Sequence, residues 1–451
     1  MADHYHMKLS LQLIVAAFLL YSCSSDQLPV SQYDNDLISS IERISPNGDV
    51  SAFVMPEEGD YSQFEQEPTN PMTPAKVELG KLLFFETGLG SEAVKEVGKF
   101  TYSCGSCHIP AKGFMPGVAQ GIADGGIGFG INGESRSRFQ LYEEDEVDTQ
   151  GARPLSLLNA GYMRNTSWTA MFGAGGFNEG TEDVWGVHIP DTEINHLGLA
   201  GLESQNIEGL HLHRMKFDRE IAEKYGYKEM YDNVFPEIPE EERYSLVTTA
   251  FAISAYIRSL VPNEAPFQNW LKGDMTAMSS QEKKGAILFF SKAGCINCHK
   301  GPGLNNQNVY AIGVKDLYEA PEAIATGPEE FRNLGRGSFT NREEDMFKFK
   351  VPQIYNMKDS PFYFHGSSKR SLREVVEYFN DAIPENDKVD KNISAFFRPL
   401  SLTEEEIDDL TVFLETGLFD PNLDRYLPTE VPSGKCFPNN DVLSQVQMGC
   451  E

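Results

Sequence analysis

Two short loops of the chain carry the same reactive side chains at the same spacing. In each loop, two cysteines separated by two residues are followed directly by a histidine, which makes a C-x-x-C-H motif. The motifs are Cys104, Cys107 and His108 in "SCGSCHIP", and Cys295, Cys298 and His299 in "GCINCHKG". In c-type cytochromes such thiols form thioethers with the haem vinyl groups, and the histidine binds iron from the proximal side. The sequence therefore predicts two covalently bound haem c groups, with His108 and His299 as iron ligands.

Paired cysteines also bind zinc or act as redox dithiols. Structural zinc pairs usually lie close together in sequence, whereas these two pairs lie in separate halves of the chain. A redox dithiol is expected in a βαβ context, which this sequence does not show. Neither alternative explains the histidine that follows both pairs, so covalent haem is the preferred interpretation.

The segments that must hold the two motifs repeat as well. "GKLLFF" at 80–85 lies ahead of the first motif, and "GAILFF" at 285–290 lies ahead of the second. Amphipathic helices are predicted after each motif, at 245–260 and 404–417. Helix starts carry capping residues, namely Thr73 before Pro74, Ser279 with Glu282, and Thr403 with Glu406. The predicted fold is mainly α, with two tandem cytochrome c-like haem domains and long irregular loops.

The repeat divides the chain into six segments. They are a lipoprotein-type signal peptide (1–22), a tether and N-terminal arm (23–70), an N-terminal haem c domain (71–262), a linker (263–278), a C-terminal haem c domain (279–430) and a tail (431–451). Cys436 and Cys450 remain in the tail once the other cysteines are assigned. In an oxidising compartment they are predicted to form a disulfide.

The N-terminus predicts export. Lys8 precedes an apolar run that ends at Cys23 and is too short to span a bilayer comfortably. Leu20 to Cys23 resembles a bacterial lipobox, so Cys23 is the predicted lipidation site and the protein is predicted to be periplasmic and membrane-anchored. A plain secretory signal is the alternative.

The formal net charge of −29 bears on the partners. Nucleic-acid binding requires basic surface, so the composition argues against it. An acidic protein attracts cationic partners, such as a small basic electron carrier.

The chain resembles the bacterial di-haem cytochrome c peroxidases and the related di-haem oxidases from about Asn70 to about Phe419. The matching segments, in order, are "NPMTPAKVELGKLLFFE", "CHIPAKGF", "LLNAGYMRNTSW", "GLESQ", "GCINCHKGP", "FKVPQIYNMKDSPFYFHG" and "LREVVEYFN". A C-x-x-C-H motif alone is common to c-type cytochromes, whereas this ordered set is specific to the family.

The resemblance implies a division of labour. The haem on His108 would be peroxidatic, and the haem on His299 would accept electrons from a small cytochrome c or copper protein. Hydrogen peroxide would be reduced to water. Trp168, nine residues after Asn159, matches the tryptophan that lies between the haems in this family. The resemblance also suggests a calcium ion, whose ligands the sequence does not identify, and leaves a homodimer open.

The distal side of the first haem departs from the family pattern. The glycine-rich loop 117–135 lacks the histidine that typical members place there, which predicts an open first iron. Gln205 matches the family's distal glutamine, but the distal glutamate has no clear counterpart. His211 and His213 lie near its expected place, and either is a candidate acid/base or sixth ligand, with His213 preferred. Weaker acid/base candidates are Glu203 and Glu208.

The second haem departs as well. The family usually supplies a methionine ligand in a segment that here reads "SPFYFHG" and contains none. His365 is the preferred sixth ligand, with Tyr363 as the alternative, and either would lower the reduction potential relative to methionine. These departures keep two other functions open. One is a di-haem oxidase acting on a protein or organic substrate, and the other is a non-catalytic electron-transfer lipoprotein.

Overall fold

The computed structural model describes residues 31–389 and 391–450, so the predicted signal peptide and Cys23 lie outside the described residues. The fold is mainly helical, as predicted. The α-helices are α1 (Gln32–Glu42), α2 (Pro74–Phe85), α3 (Gly201–Leu212), α4 (Arg219–Lys224), α5 (Lys228–Val234), α6 (Glu240–Arg243), α7 (Leu246–Arg258), α8 (Pro266–Leu271), α9 (Ser280–Phe290), α10 (Gly337–Thr340), α11 (Leu372–Asp381), α12 (Glu404–Val412) and α13 (Val442–Met448). The strands form two antiparallel pairs. Strand β1 (Gly126–Ile127) pairs with β2 (Ser137–Arg138), and β3 (Val309–Tyr310) pairs with β4 (Phe349–Lys350).

The two halves of the predicted repeat pack in the same way. Helix α2 precedes the first motif and packs against α7, which follows that motif. In the same way, α9 precedes the second motif and packs against α12, which follows it. A Cβ atom at Gly80 would stand 1.9 Å from the carbonyl oxygen of Ala252, and one at Gly285 would stand 2.0 Å from that of Asp409. Only glycine permits so close an approach of two backbones. The glycine that opens "GKLLFF" and "GAILFF" therefore has a packing reason in both units.

The predicted helix starts are confirmed. The hydroxyl groups of Thr73, Ser279 and Thr403 each accept a hydrogen bond from a backbone N–H of the first turn. The predicted helix at 404–417 begins at Glu404 but continues after Val412 as a π-helical turn, Phe413–Gly417.

The N-terminal arm and the predicted linker are packed elements rather than extended chain. The Asp34 carboxylate on α1 accepts hydrogen bonds from Trp270 Nε1 and lies 2.7 Å from Lys283 Nζ. Burial would raise the pKa of Asp34, but these donors and Ser31 outweigh it and hold the pKa at about 2. Trp270 lies on α8, inside the predicted linker, and is 1% exposed. The arm and linker thus brace the start of α9.

The tail closes over the first motif. Cys436 and Cys450 form the predicted disulfide. Ser103, next to the first motif, donates a hydrogen bond to the Pro438 carbonyl at 2.8 Å. Asp441 forms an ion pair with the buried Arg136. Within residues 31–389 and 391–450, none of the helices has the length and apolar character needed to cross a bilayer.

Candidate functional site

Both C-x-x-C-H motifs form the same short turn. Each pair of cysteines brackets a 3₁₀ turn, Cys104–Ser106 in the first and Cys295–Asn297 in the second. The backbone N–H of His108 donates to the Cys104 carbonyl at 3.0 Å, and that of His299 donates to the Cys295 carbonyl at 2.9 Å. The turn therefore places two thiols and one imidazole together without help from distant parts of the chain.

Both histidines present the same nitrogen for a ligand. His108 Nδ1 lies 3.0 Å from the Phe114 carbonyl oxygen. His299 Nδ1 lies 3.0 Å from the Leu304 carbonyl oxygen and 3.1 Å from that of Pro352. A carbonyl partner fixes the N–H on Nδ1 and leaves the Nε2 lone pair free, as in most metal-bound histidines.

Burial favours the uncharged forms of the histidines and cysteines in both motifs. Burial lowers the pKa of His108 to about 4 and also lowers the pKa of His299, so both imidazoles are neutral ligands at pH 7. Burial raises the pKa of Cys104, Cys107 and Cys295 to about 12, and that of Cys298 in the same direction. Two thiols with an adjacent imidazole whose Nε2 lone pair is free match the donor set of haem c.

A cavity of about 270 Å³ adjoins the first motif. Cys104, Cys107 and His108 line it, whereas no residue of the second motif does. The predicted site residues Trp168, Gln205 and His213 line the same cavity, although they are far apart in sequence. The structure therefore brings the predicted peroxidatic ligand and distal candidates together.

The structure separates the two distal histidines. His211 is exposed, whereas His213 ends helix α3 and faces the cavity. His213 Nδ1 lies 2.8 Å from a carboxylate oxygen of the buried Asp148. Burial opposes a charge on His213, but Asp148 outweighs it and raises the pKa of His213. The pair is a carboxylate-oriented imidazole with Nε2 unpartnered among the described residues.

Asp148 was missed from the sequence, because it stands in an acidic stretch without a motif. The glycine-rich loop 117–135 positions it, since the Asp148 N–H donates to the Asp124 carbonyl and its own carbonyl accepts from Ala123. The same loop passes close to the first motif at Gly121, where a Cβ would stand 3.0 Å from Cys107 Sγ. This loop lacks the distal histidine of typical family members, but it positions the Asp148 carboxylate that contacts His213.

Gln205 and Glu203 differ in whether their side chains already have hydrogen-bond partners. Gln205 lies on α3 beside the cavity, and its amide has no hydrogen-bond partner in the described part of the chain. Glu203 is fully buried and accepts two hydrogen bonds from Arg258 and one from Asn70. Gln205 is therefore available to a ligand in the cavity, whereas Glu203 is already occupied as a structural ion.

Trp168 and His365 lie side by side. The Trp168 indole N–H donates to the Arg153 carbonyl at 2.7 Å, and its ring centre is 6.0 Å from that of His365. The His365 ring stacks on Phe349 at 3.7 Å, and its Nε2 lies 3.2 Å from Asp316. The Asp316 contact leaves Nδ1 of His365 for another ligand.

The alternative second ligand and the calcium ion find less support. The Tyr363 hydroxyl donates to the Met357 carbonyl at 2.9 Å, so it already has a partner. Across residues 31–389 and 391–450, no three His, Cys, Asp or Glu side chains gather as a metal site. Calcium would therefore depend on carbonyl and amide oxygens, among which the buried Asn159 Oδ1 has no partner.

The chain is similar to known di-haem proteins in sequence and in fold. Residues 74–276 match the model of the di-haem cytochrome c peroxidase family. Cytochrome-c peroxidase IdrP1 of Denitromonas iodatirespirans is 29% identical over 370 residues, which cover 77% of this chain and 82% of the relative. Methylamine utilization protein MauG of Methylorubrum extorquens is 26% identical over 354 residues, covering 78% and 80%. The crystal structure of a MauG-like protein associated with microbial copper homeostasis has a TM-score of 0.57 at 22% identity, covering 81% and 96%, and shows a shared fold.

Proposed function

The chain belongs to the di-haem cytochrome c peroxidase family and is an oxidoreductase of that type; on this premise, we propose that it reduces hydrogen peroxide to water with electrons from a small redox protein. The observation that carries the proposal is the cavity beside His108, which is lined by the His213–Asp148 pair and by the free amide of Gln205. A small oxidant, an iron ligand and a proton-transfer group would meet there.

The two C-x-x-C-H motifs would hold the haems covalently. Cys104 and Cys107 would provide the thioethers of the first haem, and His108 would bind its iron through Nε2. Bound haem supplies the one-electron redox chemistry of its iron. Peroxide needs two electrons and two protons to become two molecules of water, and one chain with two haem sites can hold both electrons.

His213 is the proposed acid/base. Asp148 would accept a hydrogen bond from His213 Nδ1–H and so keep the basic lone pair on Nε2. His213 would take a proton from peroxide and return it to the departing oxygen. Gln205 would orient peroxide by hydrogen bonds from its unpartnered amide. Trp168 would carry the electron between the two halves.

At the second site, we assign His365 as the sixth ligand through Nδ1. Asp316 would fix the ring by its contact with Nε2, as carboxylates commonly do for metal-bound histidines. An imidazole in place of methionine would lower the potential of this haem. The acidic surface would favour a basic electron donor, either a cytochrome c or a copper protein. The calcium ion and the homodimer stay predictions of the family resemblance.

A related di-haem oxidase is the second candidate. The observation in its favour is the absence of methionine from 360–366 together with the similarity to MauG. Absorption spectra of the oxidised and half-reduced protein, with and without peroxide, separate the candidates. A persistent high-spin band and rapid peroxide consumption with a reduced carrier support the peroxidase. Stable oxidation by peroxide without carrier turnover supports the oxidase, and two unresponsive low-spin haems leave only electron transfer.

Export and lipid attachment at Cys23 complete the proposal. The apolar run that ends at Cys23 would direct secretion, and the acylated cysteine would hold the protein at the membrane. Incorporation of labelled fatty acid that is lost in Cys23→Ala tests this. Equal labelling of both proteins would exclude a lipid on this residue.

A further inference from the structure

Lys350 is a buried cation without a partner. Its side chain is 6% exposed, and among the described residues its ammonium makes no hydrogen bond and has no carboxylate within salt-bridge distance. Burial alone lowers its pKa to about 8, with no charged neighbour to oppose the effect. A charged group left this way is costly unless something else supplies the opposite charge.

The other buried cations show that this fold normally pairs them. Every other buried lysine or arginine in the described part of the chain has at least one side-chain hydrogen bond or ion pair. Examples are Arg136 with Asp441, Arg258 with Glu203, and Lys283 with Asp34. Lys350 is therefore an exception, which indicates an anion that the chain itself does not provide.

The position of Lys350 narrows the source of that anion. Strand β4 carries it, and its backbone N–H donates to the Trp168 carbonyl at 2.8 Å. Lys350 lines the cavity that adjoins Cys104, Cys107 and His108. The unpaired charge thus lies at the proposed haem site, next to the proposed electron bridge.

A second buried cation, Arg153, also adjoins Trp168 and the cavity. The Arg153 carbonyl accepts the Trp168 indole N–H at 2.7 Å, and Arg153 lines the same cavity. Its guanidinium donates hydrogen bonds to the carbonyls of Val118 and Pro116 and to the Ser360 hydroxyl, and it has no carboxylate partner in the described segments. Burial lowers its pKa to about 9. The backbones of both residues contact Trp168, and neither cation has a carboxylate partner among the described residues.

We propose that Lys350 forms an ion pair with a propionate of the haem held by Cys104, Cys107 and His108, with Arg153 as the second cation of this site. The inference rests on haem attachment in the proposed function. Haem carries two propionate carboxylates, and no other anion of the proposed reaction is a permanent occupant of the cavity. A cation beside haem stabilises the form with the extra electron, so Lys350 raises the reduction potential of this haem.

Redox titration of the covalently loaded protein, without peroxide, tests the proposal. The variants are Lys350→Met, which removes the charge, and Lys350→Arg, which keeps it. Lys348→Met is the matched control, because Lys348 lies two residues earlier and is absent from the cavity lining. Electron paramagnetic resonance at each potential assigns the midpoints to the two haems. Resonance Raman bending modes report the hydrogen bonding of the propionates.

Lys350→Met is expected to lower the midpoint of the first haem and shift its propionate modes, whereas Lys350→Arg and Lys348→Met leave the midpoint near that of the parent. If Lys350→Met does not accumulate, Lys350→Gln makes the same comparison. Unchanged midpoints and propionate modes, or a shift confined to the haem on His299, would overturn the proposal. A protein without peroxidase activity would still show the shift, so this result is separable from the proposed function.

Discussion

The two haem units share the side that would bind iron and differ in what surrounds it. His108 and His299 close equivalent turns, and both tie Nδ1 to a backbone carbonyl. The first unit then opens on a cavity with His213, whereas His365 in the second half is stacked on Phe349 and held by Asp316. The residues proposed to attach haem therefore belong to the repeat, whereas the residues that distinguish the two haem surroundings lie outside it.

The largest difference between the two units is expected when either pair of motif thiols is removed. Cys104→Ala with Cys107→Ala should lose one haem mass and all peroxide consumption. Cys295→Ala with Cys298→Ala should also lose one haem mass, but it should still react once with peroxide because the cavity belongs to the first unit. Mass spectrometry and stopped-flow absorption measure both. Peroxide reactivity that follows the second pair would reverse the assignment of roles.

The next largest effect is expected from replacement of the distal histidine, His213. His213→Gln should lower the rate constant for peroxide consumption by about 100- to 10,000-fold, the usual contribution of general acid–base catalysis. His211→Gln is the matched control, since His211 is a neighbouring histidine that is exposed. Steady-state kinetics with a reduced carrier measure the loss. Equal effects of the two substitutions would contradict a specific role for His213.

The carboxylate behind His213 should set the pH dependence. As a base, His213 acts when neutral, so activity rises as the pH passes above its pKa. Burial, Arg214 and Arg332 lower that pKa, and Asp148 more than offsets them. Asp148→Asn should therefore lower the pKa and move the acid limb of the pH–rate profile to lower pH, with a smaller rate loss than His213→Gln. A limb that stays in place or moves to higher pH would exclude this coupling.

In the second unit, replacing the proposed sixth ligand should change the spin state of the haem. His365→Ala should convert a low-spin haem to high spin, because it removes the proposed Nδ1 ligand. Tyr363→Phe should leave the spin state unchanged, since the hydroxyl donates to the Met357 carbonyl. Electron paramagnetic resonance distinguishes the two. The reverse result would assign the ligand to Tyr363.

The smallest effects are expected where the units are most alike. Gly80→Ala and Gly285→Ala should each destabilise the fold by about 1–3 kcal/mol, since a Cβ at either position would overlap a carbonyl oxygen. Thermal unfolding of the loaded protein measures both. Gly327→Ala controls for the loss of glycine itself, because nothing lies within 4 Å of the added atom and its φ is outside the left-handed region. Loss confined to one unit would show that the helix pairs are not equivalent.

Local signals predicted much of the fold. Capping residues placed the starts of α2, α9 and α12, and the repeated "GKLLFF" and "GAILFF" placed the helices before each motif. The segment 263–278 was harder to predict, because Pro262 and Pro266 indicate a loop as readily as a helix start. Burial of Trp270 depends on α1, which lies far away in sequence.

The amino-acid sequence by itself determined the two haem-binding motifs, the repeat that carries them and the disulfide partners, because these depend on residue types at short or repeated spacings. Only the tertiary structure selected His213 over His211, paired it with Asp148, and left Lys350 unpaired beside Trp168. Those relations join loops whose contacts leave no periodic or local trace in the chain. They follow from packing and charge burial, which act between residues wherever the fold brings them together.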